Sequence, residues 1–263
     1  EPKPAPKPAP KPAEPECKLG SKKIEFKDYL PTKVYEKNDY CPSDRVIVVC
    51  YNDKGWYGLN GMGAKWDLDK LANTKNFGED GKVVYKVQGA KIEGEITVDK
   101  LKDNNCDIFQ MSLEEADAST PLKYSALSKS SVDELKTWAE NPHHVILGFQ
   151  SFCHAMDDRY SLAQAGAKNP MEASKLGGSI VDSGPFGAVG KFNQGGSWKG
   201  TIDKIPANAC TLIKDQDDKP IMTMDVDLGS VFVSDVDLLT TLGGISKNSE
   251  ISSTNDRLLG NLY

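Results

Sequence analysis

No stretch of about 20 consecutive apolar residues occurs in this sequence, so no segment reads as a membrane-spanning helix. A basic surplus is also missing: 32 Lys and Arg face 38 Asp and Glu, for a net charge of −6. Phosphate backbones are bound by clustered cations, so this balance excludes a nucleic-acid groove and reads as a solubilising surface. None of the six cysteines, Cys17, Cys41, Cys50, Cys106, Cys153 and Cys210, has a Cys-x-x-Cys neighbour, which excludes a zinc ribbon or a thioredoxin-type redox motif. Histidine is scarce, with only His143, His144 and His154. No signal peptide is visible, and the opening proline repeat suggests a chain from which a leader or earlier domain has been removed.

What is present fits one large α/β domain, since a 38% hydrophobic content can fill a core. Residues 1–16 form a Pro/Lys/Ala-rich linker, Lys3-Pro4-Ala5-Pro6 and its repeats, and residues 17–263 form a single domain. Alternate prolines favour extended polyproline II, so the tether reaches about 50 Å. It resembles the Lys-Pro spacers of bacterial envelope proteins. With the even cysteine count, it points to an oxidising, extracytoplasmic setting and one to three disulfides. Cys17–Cys41 or Cys17–Cys50 would tie the first residues down.

The clearest secondary-structure signal lies between Ser131 and Phe152. Ser131 and Glu134 have capping-box spacing, and Val132, Leu135, Trp138 and Ala139 share one helical face. Asn141-Pro142 stops the helix, and Val145 to Phe149 reads as a strand buried on both faces. Arg45–Tyr51 and Cys106–Leu113 are two further buried strands, and a helix is expected over Ala64–Ala72. Lys82–Val87 with Lys91–Val98 suggests a hairpin or edge pair. Asn169-Pro170 reads as the start of a helix over Met171–Leu176. A long glycine-rich loop spans Gly184–Gly200. Ala209–Lys214 and Pro220–Asp225 form a hairpin, Gly229–Asp235 is the last strand, and Asn255–Tyr263 begins a final helix. Strands alternating with helices make an α/β protein with a parallel sheet.

Several residue groups invite chemistry. The glycine-rich stretch Gly55–Gly63 matches neither the dinucleotide fingerprint nor the Walker form. Trp56, Tyr57 and Trp66 could stack on a sugar ring or pack in the core. Cys153-His154 is a thiol beside an imidazole, yet adjacent residues rarely meet as nucleophile and base, so a disulfide or buried thiol is the simpler reading. His143-His144 leads into the strand from its amino end, away from any site. Asp225-Val226-Asp227 and Asp235-Val236-Asp237 pair carboxylates on one side of a strand or its exit. Such oxygens suit calcium, with no other cofactor expected, or serve as caps and loop acceptors, as Asn255 and Asp256 do.

In order, Val145-Ile146-Leu147-Gly148-Phe149-Gln150, Asn169-Pro170 with Leu176-Gly177, Gly229–Asp237 and Asn255-Asp256-Arg257-Leu258-Leu259-Gly260-Asn261 resemble the class I glutamine amidotransferase-like superfamily. The resemblance covers roughly Arg45 to Tyr263 and is strongest to its ThuA-like branch. It implies a flavodoxin-like, mostly parallel sheet with helices on both faces, plus β-hairpin additions. Where that family carries its cysteine nucleophile this chain has Gln150, and where it carries His-Pro-Glu this chain has Ser234 to Asp237. A carboxamide is no nucleophile, so the resemblance implies a scaffold without amidotransferase chemistry. The expectation is a non-catalytic binding or scaffolding module of a bacterial envelope or surface protein. Its partner would be a carbohydrate or another envelope protein. The cleft would be lined by Gln150, Ser151, Asp235, Asp237, Trp56 and Tyr57, with Asp235 and Asp237 the candidate metal ligands. The alternatives are a ThuA-like hydrolase acting on a sugar or small molecule, with Asp235 or Asp157 as base, and a structural spacer.

Overall fold

A computed structural model describes residues 18–19, 22–23, 46–52, 59, 64–79, 81–83, 85–111, 128–141, 144–148, 161–163, 166–176, 179–196, 200–207, 209–225, 230–234 and 236–263. After a short antiparallel pair, β1 (Lys18–Leu19) and β2 (Lys22–Lys23), the main sheet begins at β3 (Val46–Tyr51). Its β-branched residues suit an extended, doubly covered strand. Three crossovers follow: helix α1 (Lys65–Leu71) to β4 (Lys86–Lys91), helix α2 (Val98–Asp103) to β5 (Ile108–Met111), and helix α3 (Lys129–Ala139) to β6 (Val145–Gly148). Each joins parallel strands, which a tight turn cannot do.

Later come β7 (Ser161–Ala163), β8 (Met171–Ala173), helix α4 (Ile180–Ser183), β9 (Lys191–Phe192) and β10 (Thr201–Lys204). The chain closes with β11 (Ala209–Lys214), β12 (Pro220–Asp225), β13 (Ser230–Val233), a 3-10 turn over Val236–Leu239 and helix α5 (Thr254–Leu262). The nine-stranded sheet runs β4-β3-β5-β6-β13-β12-β11-β8-β9. The first five are mutually parallel and the rest antiparallel. Counted along the chain, the parallel half has the 2-1-3-4-5 order of flavodoxin-like sheets.

Period-2 alternation divides the core between the two faces of this sheet. Val49, Tyr51, Ile108, Leu147, Val231 and Val233 face Leu71 of α1 with Leu258 and Leu259 of α5. Val48, Cys50, Phe109, Ile146 and Phe232 face Leu101 of α2 with Val132, Leu135, Trp138 and Ala139 of α3. Burial of Leu258 and Leu259 contributes about 1.5–3 kcal/mol each to docking α5.

Four expectations are corrected. Helix α3 starts two residues before Ser131, and its cap is Ser128, whose Oγ accepts from the Ser131 N–H. Ser131 and Glu134 instead accept the Ile96 and Val98 N–H groups, fastening the approach to α2. The described residues between Lys82 and Val98 form no hairpin: Lys86–Lys91 is one parallel edge strand, and Val98 opens α2. Met171–Leu176 is not a helix. Met171 and Ala173 are buried and Glu172 exposed, a strand period, because the segment pairs with β9 and β11. The Asn169 side chain bonds the backbone of Gln194 instead of capping a turn.

The fourth correction concerns the cysteines. Cys50 is bonded to Cys106, with Cα atoms 5.6 Å apart, so a Cys17–Cys50 bridge does not form. Cys50 points to the face covered by α2, and Cys106 arrives from the end of α2 on that same face, beside Leu101 and Phe109. Cys210 is disulfide-bonded as well. Cys17, Cys41 and Cys153 lie outside the described residues.

Candidate functional site

All five parallel strands end on one edge of the sheet. In this strand order the chain reverses direction between β3 and β5, and ligands of open α/β sheets bind in the crevice such a reversal leaves. Tyr51 at the end of β3 is in register with Gln110 of β5, so both side chains lie on the α1 and α5 face. The Tyr263 hydroxyl, at the end of α5, donates to Gln110 Oε1. Burial, with the nearby Asp67 charge, pushes the Tyr263 phenol well above its ordinary pKa.

Asp67 lies in the first turn of α1 and is 1% exposed, with its Oδ1 accepting no hydrogen bond. Burial pushes its carboxyl well up; Lys70 opposes the rise and Asp256 adds to it. One turn on, Lys70 is fully buried, with Nζ 3.6 Å from Asp256 Oδ1. Burial lowers the ammonium pKa, and the Asp256 charge and hydrogen bond counter part of that. Burial would raise Asp256, but donors from Ser246, Ser253 and Ser252 outweigh it and hold the carboxyl below its ordinary range. Asp256 also closes a capping box with Ser253 at the start of α5. This cluster therefore carries one firmly ionised carboxylate, one ammonium and one carboxyl that resists ionisation.

At the far side of the same edge, Asp237 lies in the 3-10 turn that follows β13. It is fully buried, and a side chain at Gly196 would collide with its carboxylate. Gly196 holds φ at +88°, where other residues are strained. Two residues before Gly196, Gln194 is 1% exposed and neither amide atom has a hydrogen-bond partner. Among the described residues no group of three His, Cys, Asp or Glu could hold a metal ion.

Of the sequence-predicted residues, Gln150, Ser151, Asp235, Trp56, Tyr57, Cys153, His143, His154, Asp157 and Asp227 lie outside the described residues. Trp66 packs against the core with Lys65 Nζ 4.8 Å above its ring. His144 stacks on Trp138 at 4.2 Å and its Nδ1 meets the Trp138 carbonyl, at the amino end of β6. Asp225 is buried at the end of β12. Sequence reasoning missed Asp67, Lys70, Gln194 and Tyr263. The signal for the first two was there: Asp67, Lys70 and Leu71 share one face of a short helix, so charges sit at positions where apolar residues belong.

No family model matches the chain, and no curated relative does. Among solved structures, PurLQS from Thermotoga maritima superposes with a TM-score of 0.50 over 83% of this chain and 97% of its own, at 10% identity. The fold is that of a flavodoxin-like α/β protein. A ThuA-like protein from Bacteroides uniformis gives a TM-score of 0.49 at 12% identity, covering 86% of this chain and 91% of that one. A glutamine amido transferase from Methylobacillus flagellatus gives 0.47 at 9%, covering 84% and 93%. At such identities the likeness is one of architecture. The flavodoxin-like fold puts the carboxyl edge in place and assigns no residue a role.

Proposed function

We propose that this chain is an extracytoplasmic binding or scaffolding module of a bacterial envelope or surface protein, on an amidotransferase-like fold and carried by its proline-rich tether. The supporting observation is the Cys50–Cys106 bridge inside the core, with Cys210 in another disulfide. Cytosolic thiols are kept reduced, so a core built around disulfides suits an oxidising compartment. The ligand would meet the carboxyl edge of the parallel strands, and a carbohydrate is the class proposed. Non-reducing peptide mapping of protein taken from fractionated cells tests the compartment. The reading requires a bridged Cys50–Cys106 peptide in the envelope or secreted fraction. Free thiols at both positions in cytosolic protein overturn it.

A further inference from the structure

The segment from Ser246 to Glu250 has the form of a binding loop, and its centre is occupied by the chain's own side chain. Lys70 Nζ donates to the Ser246 carbonyl at 2.9 Å, to Ser246 Oγ at 3.0 Å, to the Glu250 carbonyl at 3.2 Å and to the Asn248 carbonyl. Asn248 Oδ1 lies at 3.5 Å and Asp256 Oδ1 at 3.6 Å. Every neighbour presents oxygen, and the Ser246 hydroxyl proton is committed to Asp256 Oδ2. An ammonium has three donors and no acceptor, so this shell fits the protonated amine. Both Lys70 and Asp256 have fully buried side chains. The loop is pinned further, with Ser246 N–H donating to Asp256 and Glu250 N–H to Asn248 Oδ1. Asn73 and Asn76 hold the Ser249 carbonyl from α1's side.

We infer that residues 246–250 form a cage for a singly charged cation of ammonium size, and that Lys70 is its built-in occupant. The charge of the shell decides the ion class. Among the oxygens around Nζ, Asp256 supplies the one carboxylate and the rest are neutral carbonyl, hydroxyl and amide oxygens, so the shell balances a single positive charge. Backbone carbonyls replacing a hydration shell are the way larger monovalent ions are held. The cage ties α1 to the start of α5, and α5 in turn delivers Tyr263 to Gln110 at the carboxyl edge. Lys70 is thus a positioning residue for that edge, working through the loop.

The test is Lys70→Ala, which empties the cage, read by thermal unfolding in chloride salts of equal ionic strength. The variant should lose about 10 °C, the shift expected when a buried charge loses its partner in a chain of this size. Ammonium, methylammonium or potassium should restore part of that loss, while tetramethylammonium and lithium should not. Wild type should be indifferent to the choice. If Lys70→Ala does not fold in ordinary buffer, refolding yield across the same salts gives the same reading. Lys70→Met, which fills the stem and blocks ion entry, should be destabilised and not rescued. Equal responses to all salts, no response in any, or wild-type stability of Lys70→Ala would each overturn the inference. In folded wild type, the Lys70 ammonium protons should exchange slowly enough to appear in nitrogen-correlated NMR spectra at neutral pH. Their absence would also count against it.

Discussion

Removing the bridge with a Cys50→Ala/Cys106→Ala double substitution frees a loop whose ends are 56 residues apart. In the chain-entropy treatment the lost constraint is ~2.1 cal/mol/K plus ~3.0 cal/mol/K times the logarithm of the loop length, or about 14 cal/mol/K in all. At room temperature that is about 4 kcal/mol of stability, acting through the unfolded chain. Both sulfurs are buried among Leu101, Phe109 and Ile146, so the small cavities left by alanine add to the loss. Urea unfolding of the two proteins, without reductant, measures the difference as a shift in midpoint at unchanged native signal. A loss near 4 kcal/mol is expected, which is a large share of the stability of an ordinary domain. A loss under about 1 kcal/mol would refute the reasoning, because it falls below the typical ~2–4 kcal/mol of this mechanism and far below the value worked for a loop of this length.

Other substitutions read the polar cluster. Asp67 has a raised pKa when folded, so its favourable contribution is complete below the ordinary carboxylate range and is lost as pH rises through the folded value. Asp67→Asn should therefore stabilise the protein at neutral pH by about 1–3 kcal/mol, with the gain vanishing in acid. Thermal midpoints at several pH values check this, and destabilisation at pH above neutrality contradicts it. Asp256 has the opposite sign: its contribution is present above the ordinary carboxylate range and is lost as pH falls through its lowered folded value. Asp256→Asn should cost about 3–5 kcal/mol at neutral pH, since it strands the Lys70 ammonium, and the deficit should shrink in acid. Ser253→Ala should cost about 1 kcal/mol by removing the cap of α5, seen as a lower denaturant midpoint. Gly196→Ala should cost at least about 1 kcal/mol, because φ is positive there and the new methyl meets the Asp237 carboxylate.

Four of the five parallel strands were legible because they are apolar runs buried on both faces, whereas β4 (Lys86–Lys91), a largely exposed edge strand, was not. Val46–Tyr51, Ile108–Met111 and Val145–Gly148 announce themselves by composition alone. The helix after Ser128 showed through the spacing of Val132, Leu135 and Trp138, although its cap was placed late. Met171–Ala173 was misread because Asn-Pro is a good helix opening in isolation. The edge it pairs with is set by Lys191–Phe192 and Ile213–Lys214, which no local pattern reveals. The Cys50–Cys106 pairing follows from which face of β3 the residue points to, and that required the sheet order. The polar cluster was out of reach for a similar reason. Lys70 and Ser246 are 176 residues apart, and only the docking of α5 beside α1 brings them together. On the far side of the edge, the unpartnered amide of Gln194 was hidden inside what read as a featureless glycine-rich loop.

Binding without turnover is the core of the proposed role. It is tested most directly by following the unfolding midpoint across a panel of neutral and acidic saccharides, with calcium, magnesium and zinc alongside, while assaying for product. The account predicts a saturable rise with at least one saccharide and no product, since a ligand that prefers the native state raises apparent stability. A flat response to every saccharide, or turnover that Asp235→Asn abolishes, would contradict it.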